Sequence, residues 1–220
     1  MTPKNIILIS DPKVLKIPIK ENNEPLVDLR KFPQILIDNR KKEDSNSYFK
    51  LRKSVATKLL EAQKYLPKGI RFLIIEGYRP LALQNEYFQS YSKKLSKNHS
   101  DWNKEKIYQE VSKFVAPPDI IPPHTTGGAV DLTLATNKGK ELDMGNRVNA
   151  SPETSKKACF TFAKNISDEA KKNRQLLINA MSKAGFVNYP TEWWHWSYGD
   201  RYWAYFKKKP FAFYGVIEKI

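Results

Sequence analysis

Four polar residues in two short, otherwise apolar segments are the part of this chain best equipped for chemistry. His124-Thr-Thr-Gly-Gly-Ala-Val-Asp131 runs straight into Leu-Thr-Leu, and Glu192-Trp-Trp-His195-Trp196 lies near the C-terminal end. The chain has three histidines, and two of them fall in these segments. Two imidazoles and a carboxylate are the donor types of a catalytic zinc site, which takes three protein ligands and leaves a position for water. His124, Asp131 and His195 supply that count, one Zn2+ per chain, and Glu192 is then the candidate base for the water. Asp131 has apolar neighbours, where an ionised carboxylate is costly unless paired or bound to a cation. Gly127 and Gly128 permit a tight turn between His124 and Asp131. The tryptophans between Glu192 and His195 suit the wall of a water-poor pocket, in which charges act more strongly. Taken singly, the segments read as a structural His–Asp hydrogen bond and a cluster of core aromatics. Together in one chain they point to a metal site.

A fifth group is Arg79 in Glu76-Gly-Tyr-Arg-Pro80. A guanidinium on a turn after an apolar strand can reach into a cleft and face a developing oxyanion; alone, it reads as a salt bridge on a loop. His99, in a polar stretch, reads as a surface residue.

These groups need a scaffold. Residues 1–47 read as irregular or strand-forming, punctuated by four prolines. Residues 48–66 show helical spacing through Leu51, Val55, Leu59 and Leu66. Residues 71–76 form a short apolar run, read as a buried strand. Pro80 suits the first position of a helix reaching about Lys97, and Asp101 suits the N-cap of another ending near Val115. Pro117-Pro118 and Pro122-Pro123 then make an extended loop leading to His124. Residues 129–134 read as a strand with Val130, Leu132 and Leu134 on one face and Ala129, Asp131 and Thr133 on the other. A polar loop region spans about 136–166. Ser167 or Asp168 caps a helix running to Ala184, with Gly185 as the stop. Residues 186–189, 192–196 and 211–216 are candidate strands. Glu192 and His195 are three apart, so in a regular strand they face opposite sides. Sharing one site requires a twist or turn between them. The expectation is a single α+β domain over residues 1–220, with the irregular segment 1–47 packed on it.

Size and composition allow such a domain. The 220 residues are 40% hydrophobic and 12% aromatic, which suits a folded globule with one core. The formal charge is +15, from 38 basic and 23 acidic residues. Such an excess suits nucleic acid, an anionic membrane or an anionic cell-wall polymer, or serves only solubility. The lysines are dispersed and no nucleic-acid motif accompanies them, so they read as solvated helix faces. A single cysteine, Cys159, excludes an intrachain disulfide and reads as a packing residue. No stretch approaches the ~20 apolar residues of a membrane span. The apolar run at residues 6–9 is too short for a signal segment. The chain therefore reads as cytoplasmic, or periplasmic if a leader has been removed.

Five segments in order carry a family resemblance: Glu76-Gly-Tyr-Arg-Pro80, Pro123-His-Thr-Thr-Gly-Gly-Ala-Val-Asp131-Leu-Thr-Leu134, Asp143-Met-Gly145, Asn173-Arg-Gln-Leu-Leu177 and Glu192-Trp-Trp-His-Trp196. Between about residues 24 and 205 the chain resembles the zinc D-alanyl-D-alanine dipeptidases, the VanX-like M15 peptidases. The resemblance implies an α+β fold with a central antiparallel sheet flanked by helices, shared with D-Ala-D-Ala carboxypeptidases and the hedgehog signalling domain. It implies His124, Asp131 and His195 as zinc ligands, Glu192 as the base that deprotonates a zinc-polarised water, and Arg79 as the group that stabilises the transition state. The expected substrate is D-Ala-D-Ala or a similar short peptide containing D-amino acids. Pro122, Asn149, Tyr78 and Trp194 are the expected substrate contacts. Two of these depart from the vancomycin-resistance type, which has serine where Pro122 stands and a carboxylate where Asn149 stands. Both replaced residues hold the free amino end of the dipeptide in that type. An alternative within the same chemistry is a D,D- or L,D-carboxypeptidase or endopeptidase on peptidoglycan stem peptides, which Asn149 and the basic charge favour. A non-catalytic zinc-containing binding module is the alternative of another class, but it would need neither Glu192 nor Arg79.

Overall fold

Alternation of apolar and polar residues decides which face of the main sheet is covered by helices and which is left for chemistry. A computed structural model describes residues 6–40 and 47–217. Its main sheet has five strands in the order β2-β4-β5-β7-β6: β2 is Leu36–Ile37, β4 Ile70–Glu76, β5 Ala129–Thr136, β6 Val187–Tyr189 and β7 Glu192–Ser197. All neighbours are antiparallel except the β2–β4 pair. A second, two-stranded sheet pairs β1 (Leu26–Asp28) with β3 (Lys50–Arg52).

Val130, Leu132 and Leu134 of β5 join Phe72 and Ile74 of β4 in the main core. There they meet Val55 and Leu59 of helix α2 (Lys53–Gln63) and Leu177, Ala180 and Met181 of helix α5 (Asp168–Lys183). The intervening residues of the same strands, including Asp131, Thr133, Leu73 and Ile75, turn to the opposite face, as a period of two requires. Helices α3 (Leu81–Asn98) and α4 (Lys104–Val111) pack on each other through Leu95, Ile107 and Val111. The short helix α1 (Pro12–Leu15) packs on α6 (Arg201–Phe206) through Val14 and Tyr202. The mixed α+β architecture agrees with the sequence reading. No described helix is long and apolar enough to cross a membrane.

Several local expectations are corrected. Residues 48–66 are not one helix: Leu51 pairs with Val27, so β3 precedes α2, and α2 stops at Gln63. The Gln63 side chain turns back to the Ile70 carbonyl and the Phe72 amide, which stitches the helix end to β4. Pro80 is the N-cap of α3 rather than its first helical residue, with extended ψ of 144°. Asn103, not Asp101, caps α4: its Oδ1 accepts the Lys106 amide at 2.8 Å, and the regular helix ends at Val111. Residues 211–216 form no strand, only an isolated bridge from Ala212 to Ile19. Their amides are taken up elsewhere, Ala212 by the Pro18 carbonyl, Phe213 by that of Gly199, and Gly215 by the Glu21 carboxylate. Within the segment read as irregular or strand-forming, β1 and β2 are strands as read and the short helix α1 is an addition, while residues 1–5 and 41–46 lie outside the described part. Ser167 caps α5, accepting the Ala170 amide at 3.0 Å.

Candidate metal centre and its cleft

His124 sits in a 3-10 turn, Pro123–Thr126, entered through Pro122 and closed by Gly127 at φ +69°. Its Nδ1 donates to the Gly77 carbonyl at 2.7 Å. That carbonyl is available because the backbone at Gly77 presses against its neighbours: a Cβ there would lie 2.5 Å from the Lys50 carbonyl oxygen. With Nδ1 carrying the proton, the His124 Nε2 lone pair points inward.

Asp131 on β5 is register-paired with His195 on β7, so the two side chains share a face. The atoms converge: His124 Nε2 to His195 Nδ1 is 3.1 Å, His195 Nδ1 to Asp131 Oδ1 is 3.0 Å, and His124 Nε2 to Asp131 Oδ1 is 3.3 Å. A tetrahedral zinc with bonds of 2.0–2.2 Å separates its ligand atoms by roughly 3.3–3.6 Å, so this triangle is slightly contracted from one face of such a site. The donor chemistry fits too. A lone pair on His124 Nε2 faces a carboxylate oxygen, and two acceptors at that distance call for a cation between them. These three residues are a group able to hold a metal ion.

Burial alone would raise the Asp131 carboxyl, but the adjoining imidazoles outweigh it and hold it well below the usual carboxylate range. Burial lowers His195, leaving its imidazole neutral and able to act as a ligand. Glu192 moves the other way. Burial and the charge of Asp131 raise it well above an ordinary glutamate, against an opposing pull from Arg79. That is the environment of a general base poised nearer neutrality.

Glu192 and His195 reach one cleft because β7 is not regular. Along β6 the partners run Val187↔Ser197 and Asn188↔Trp196, and then jump to Tyr189↔Glu192. Residues 193–195 are the extra residues of a bulge, a device that re-aims side chains near active sites. Trp193 packs into the main core while Glu192, Trp194 and His195 line the cleft.

Glu76 is register-paired with Asp131 past an irregularity in β4. Its two carboxylate oxygens each accept from Arg79, through Nε and Nη2, at 2.7 Å. Gln84 accepts from Arg79 Nη1 at 2.7 Å, and the Tyr87 ring lies 4.8 Å from the guanidinium carbon. Three of the five guanidinium N–H groups are thus engaged in holding it, leaving one on each terminal nitrogen. Burial works against the charge of Arg79, but Glu76 keeps it firmly protonated. The sequence reading missed Glu76 and Gln84 as the clamp on Arg79, although Glu76 lay inside the quoted motif.

The cleft has a volume of about 830 Å³. Pro122, Asn149 and Trp194 line it as expected, joined by Ile9, Thr191 and Cys159. Tyr78 does not: it is buried with its hydroxyl donating to the Ile217 carbonyl at 3.2 Å. Residue 78 follows Gly77 out of β4, and its amide is held by Lys50 on the side away from the cleft. Cys159 is a packing residue as read, and burial raises its thiol. His99 is half-buried and stacked on Trp102 at 3.8 Å.

Residues 144–161, with turns but no helix or strand, supply a further wall of the cleft through Val148, Asn149, Ser151 and Cys159. They are tied down by Arg174 of α5, which has no carboxylate partner within salt-bridge distance among the described residues. Its guanidinium donates to the carbonyls of Met144, Ala158, Phe160 and Thr161 and to Asn146 Oδ1, over 2.6–3.3 Å. Burial brings it down to about 10.

Known proteins resemble this chain along most of its length. Residues 36–213 match the M15 peptidase family described as D-Ala-D-Ala dipeptidase. A D-alanyl-D-alanine dipeptidase of Synechocystis is 29% identical over 93% of this chain and 96% of its own length. One from Enterococcus faecium is 30% identical over 66% of this chain and 71% of its own length. The solved structure of the LdcB LD-carboxypeptidase superposes with a TM-score of 0.47 at 18% identity, covering 95% of this chain and 89% of that one. With a match spanning residues 36–213, this chain belongs to the M15 D-Ala-D-Ala dipeptidase family of hydrolytic enzymes.

Proposed function

We propose that the protein is a zinc-dependent dipeptidase that hydrolyses D-Ala-D-Ala, or a similar short peptide containing D-amino acids. The observation that carries this reading is the triangle of His124 Nε2, Asp131 Oδ1 and His195 Nδ1, with Glu192 and Arg79 lining the same cleft. These three residues would hold one Zn2+, which would supply a Lewis acid for the scissile carbonyl and for the attacking water. Glu192 takes a proton from the attacking water and passes it to the departing amine. Arg79, locked by Glu76 and Gln84, directs its two remaining N–H groups to the oxyanion as it develops. Trp194 and Tyr189 exclude bulk water from the carboxylate, which strengthens each of these interactions.

Metal analysis combined with a panel of stereochemically defined peptides tests this. The expected result is about one zinc per chain and cleavage of free D-Ala-D-Ala that chelation abolishes. Cleavage confined to N-acylated peptides would sink the dipeptidase reading. It would support the carboxypeptidase or endopeptidase reading, which the 830 Å³ cleft and the uncharged Asn149 favour, since such a volume lies toward the upper end for drug-sized ligands.

A further inference from the structure

The bulge that brings Glu192 and His195 into one cleft leaves main-chain carbonyls outside the β6–β7 ladder. Buried carbonyls without donors are costly. One side chain, Asn188 of β6, supplies what the ladder does not. Its Nδ2 donates to the Glu192 carbonyl at 3.1 Å and to the His195 carbonyl at 3.0 Å, with the Trp193 carbonyl at 3.5 Å. Its Oδ1 accepts from Thr161 Oγ1 at 2.5 Å. The orientation of the amide follows from chemistry, because carbonyls require the N–H end and only the oxygen can accept the hydroxyl proton. Thr161 is anchored in turn: its amide donates to the Pro190 carbonyl at 3.0 Å, and its own carbonyl accepts from Arg174.

We propose that Asn188 is a positioning residue for the reaction. By tying the Glu192 and His195 carbonyls to one amide, it sets the distance and direction between the carboxylate that moves the proton and the imidazole that holds the metal. Asn188 does not line the cleft, so it acts through the bulge and not on substrate. The inference rests on the roles proposed above for Glu192 and His195. Catalysis is sensitive to such placement: a shift of ~1 Å costs about a hundredfold in rate.

Three variants test it: Asn188→Ala, Thr161→Val, which removes the hydroxyl that orients the amide, and Thr161→Ser, which keeps it. Each is compared with wild type for kcat and KM on D-Ala-D-Ala, and for the visible spectrum of the Co2+-substituted protein. The expected result is a fall in kcat of about a hundredfold for Asn188→Ala, with KM changed less than about threefold. Thr161→Val should show a smaller fall, about tenfold, and Thr161→Ser should stay near wild type. The cobalt bands should shift in the first two variants and not in the third. A purely structural role would lower the yield of folded protein while leaving kcat per bound metal and the cobalt spectrum as in wild type, and that result overturns the proposal. If Asn188→Ala does not fold, the Thr161→Val and Thr161→Ser pair decides by the same criteria. If the wild type cleaves no dipeptide, the functional reading fails separately. The cobalt spectra then decide the positioning role, and unaltered bands in all three variants reject it.

Discussion

On one wall of the cleft, Asp131, His195 and Glu76 stand on strands paired to one another in the main sheet. On the other, residues 144–161 follow a course of turns, with Asn149, Lys156 and Lys157 at positive φ and a single guanidinium gathering the carbonyls. The first wall resists displacement because Glu76, Asp131 and His195 are register-paired across adjacent strands. The second is gathered chiefly by one residue of a helix behind it, with further ties from the Trp193 amide to the Cys159 carbonyl and from the Thr161 amide to the Pro190 carbonyl. On the proposed reading the contrast separates two tasks of a peptidase: the bond-breaking groups belong to the sheet wall, and the peptide's amino end would meet the tethered one. Substitutions on the first wall should act on kcat, and those on the second on KM and on stability.

The largest effect expected on the sheet side is from Glu192→Gln. Loss of the base should lower kcat by about 10²–10⁴-fold with metal content unchanged; near-normal turnover would remove Glu192 from the chemistry. The same carboxylate should shape the pH profile. Only its ionised form can take a proton, and burial together with Asp131 raises its pKa. So kcat/KM should climb with pH through an acid limb lying above the ordinary glutamate value of 4.5. A limb at or below that value would break the link between burial and base.

Arg79→Ala should cost about 10²–10³-fold in kcat, the scale of losing an oxyanion donor. A change confined to KM would instead make Arg79 a binding group and blur the division between the walls. On the loop side, Arg174→Ala should lower unfolding free energy by about 3 kcal/mol, because several buried carbonyls lose their donor together. Denaturant titration measures this, and limited proteolysis should show new cleavage within residues 144–161. Full retention of stability would show that the loop holds its course without the tether. The smallest effect is expected from Asn149→Asp. A carboxylate at this exposed position should attract the ammonium of a free dipeptide and lower its KM by less than about tenfold, with kcat unaltered. A rise in KM would place the amino end elsewhere.

Legibility in the sequence divides along similar lines. His124, Asp131, Glu192 and His195 stood out because their chemistry is scarce and their surroundings apolar. The β5 strand and the α5 helix were readable from strict periodicity and from the Ser167 cap. Arg79 was visible as a turn residue, but its clamp was not: Gln84 reaches it only after α3 starts at Leu81. The β7 bulge was required by the three-residue spacing of Glu192 and His195, yet the residue that satisfies it was hidden. Asn188, two residues before Pro190, resembles any asparagine near a turn. Arg174 stood inside the quoted segment Asn173-Arg-Gln-Leu-Leu177 without a role, and only tertiary packing reveals it as buried. Residues 48–66 misled because helical spacing continued through Leu51, whereas pairing with β1 took those residues into a strand.

Four of the groups that Arg174 grips belong to the main chain, and one, on Asn146, to a side chain. A carbonyl is present whatever residue occupies its position. Positions 144, 158, 160 and 161 can therefore change identity without loosening this grip. Such a wall can diverge in what it recognises while its path stays the same, and the strands that carry Asp131 and His195 need not change with it.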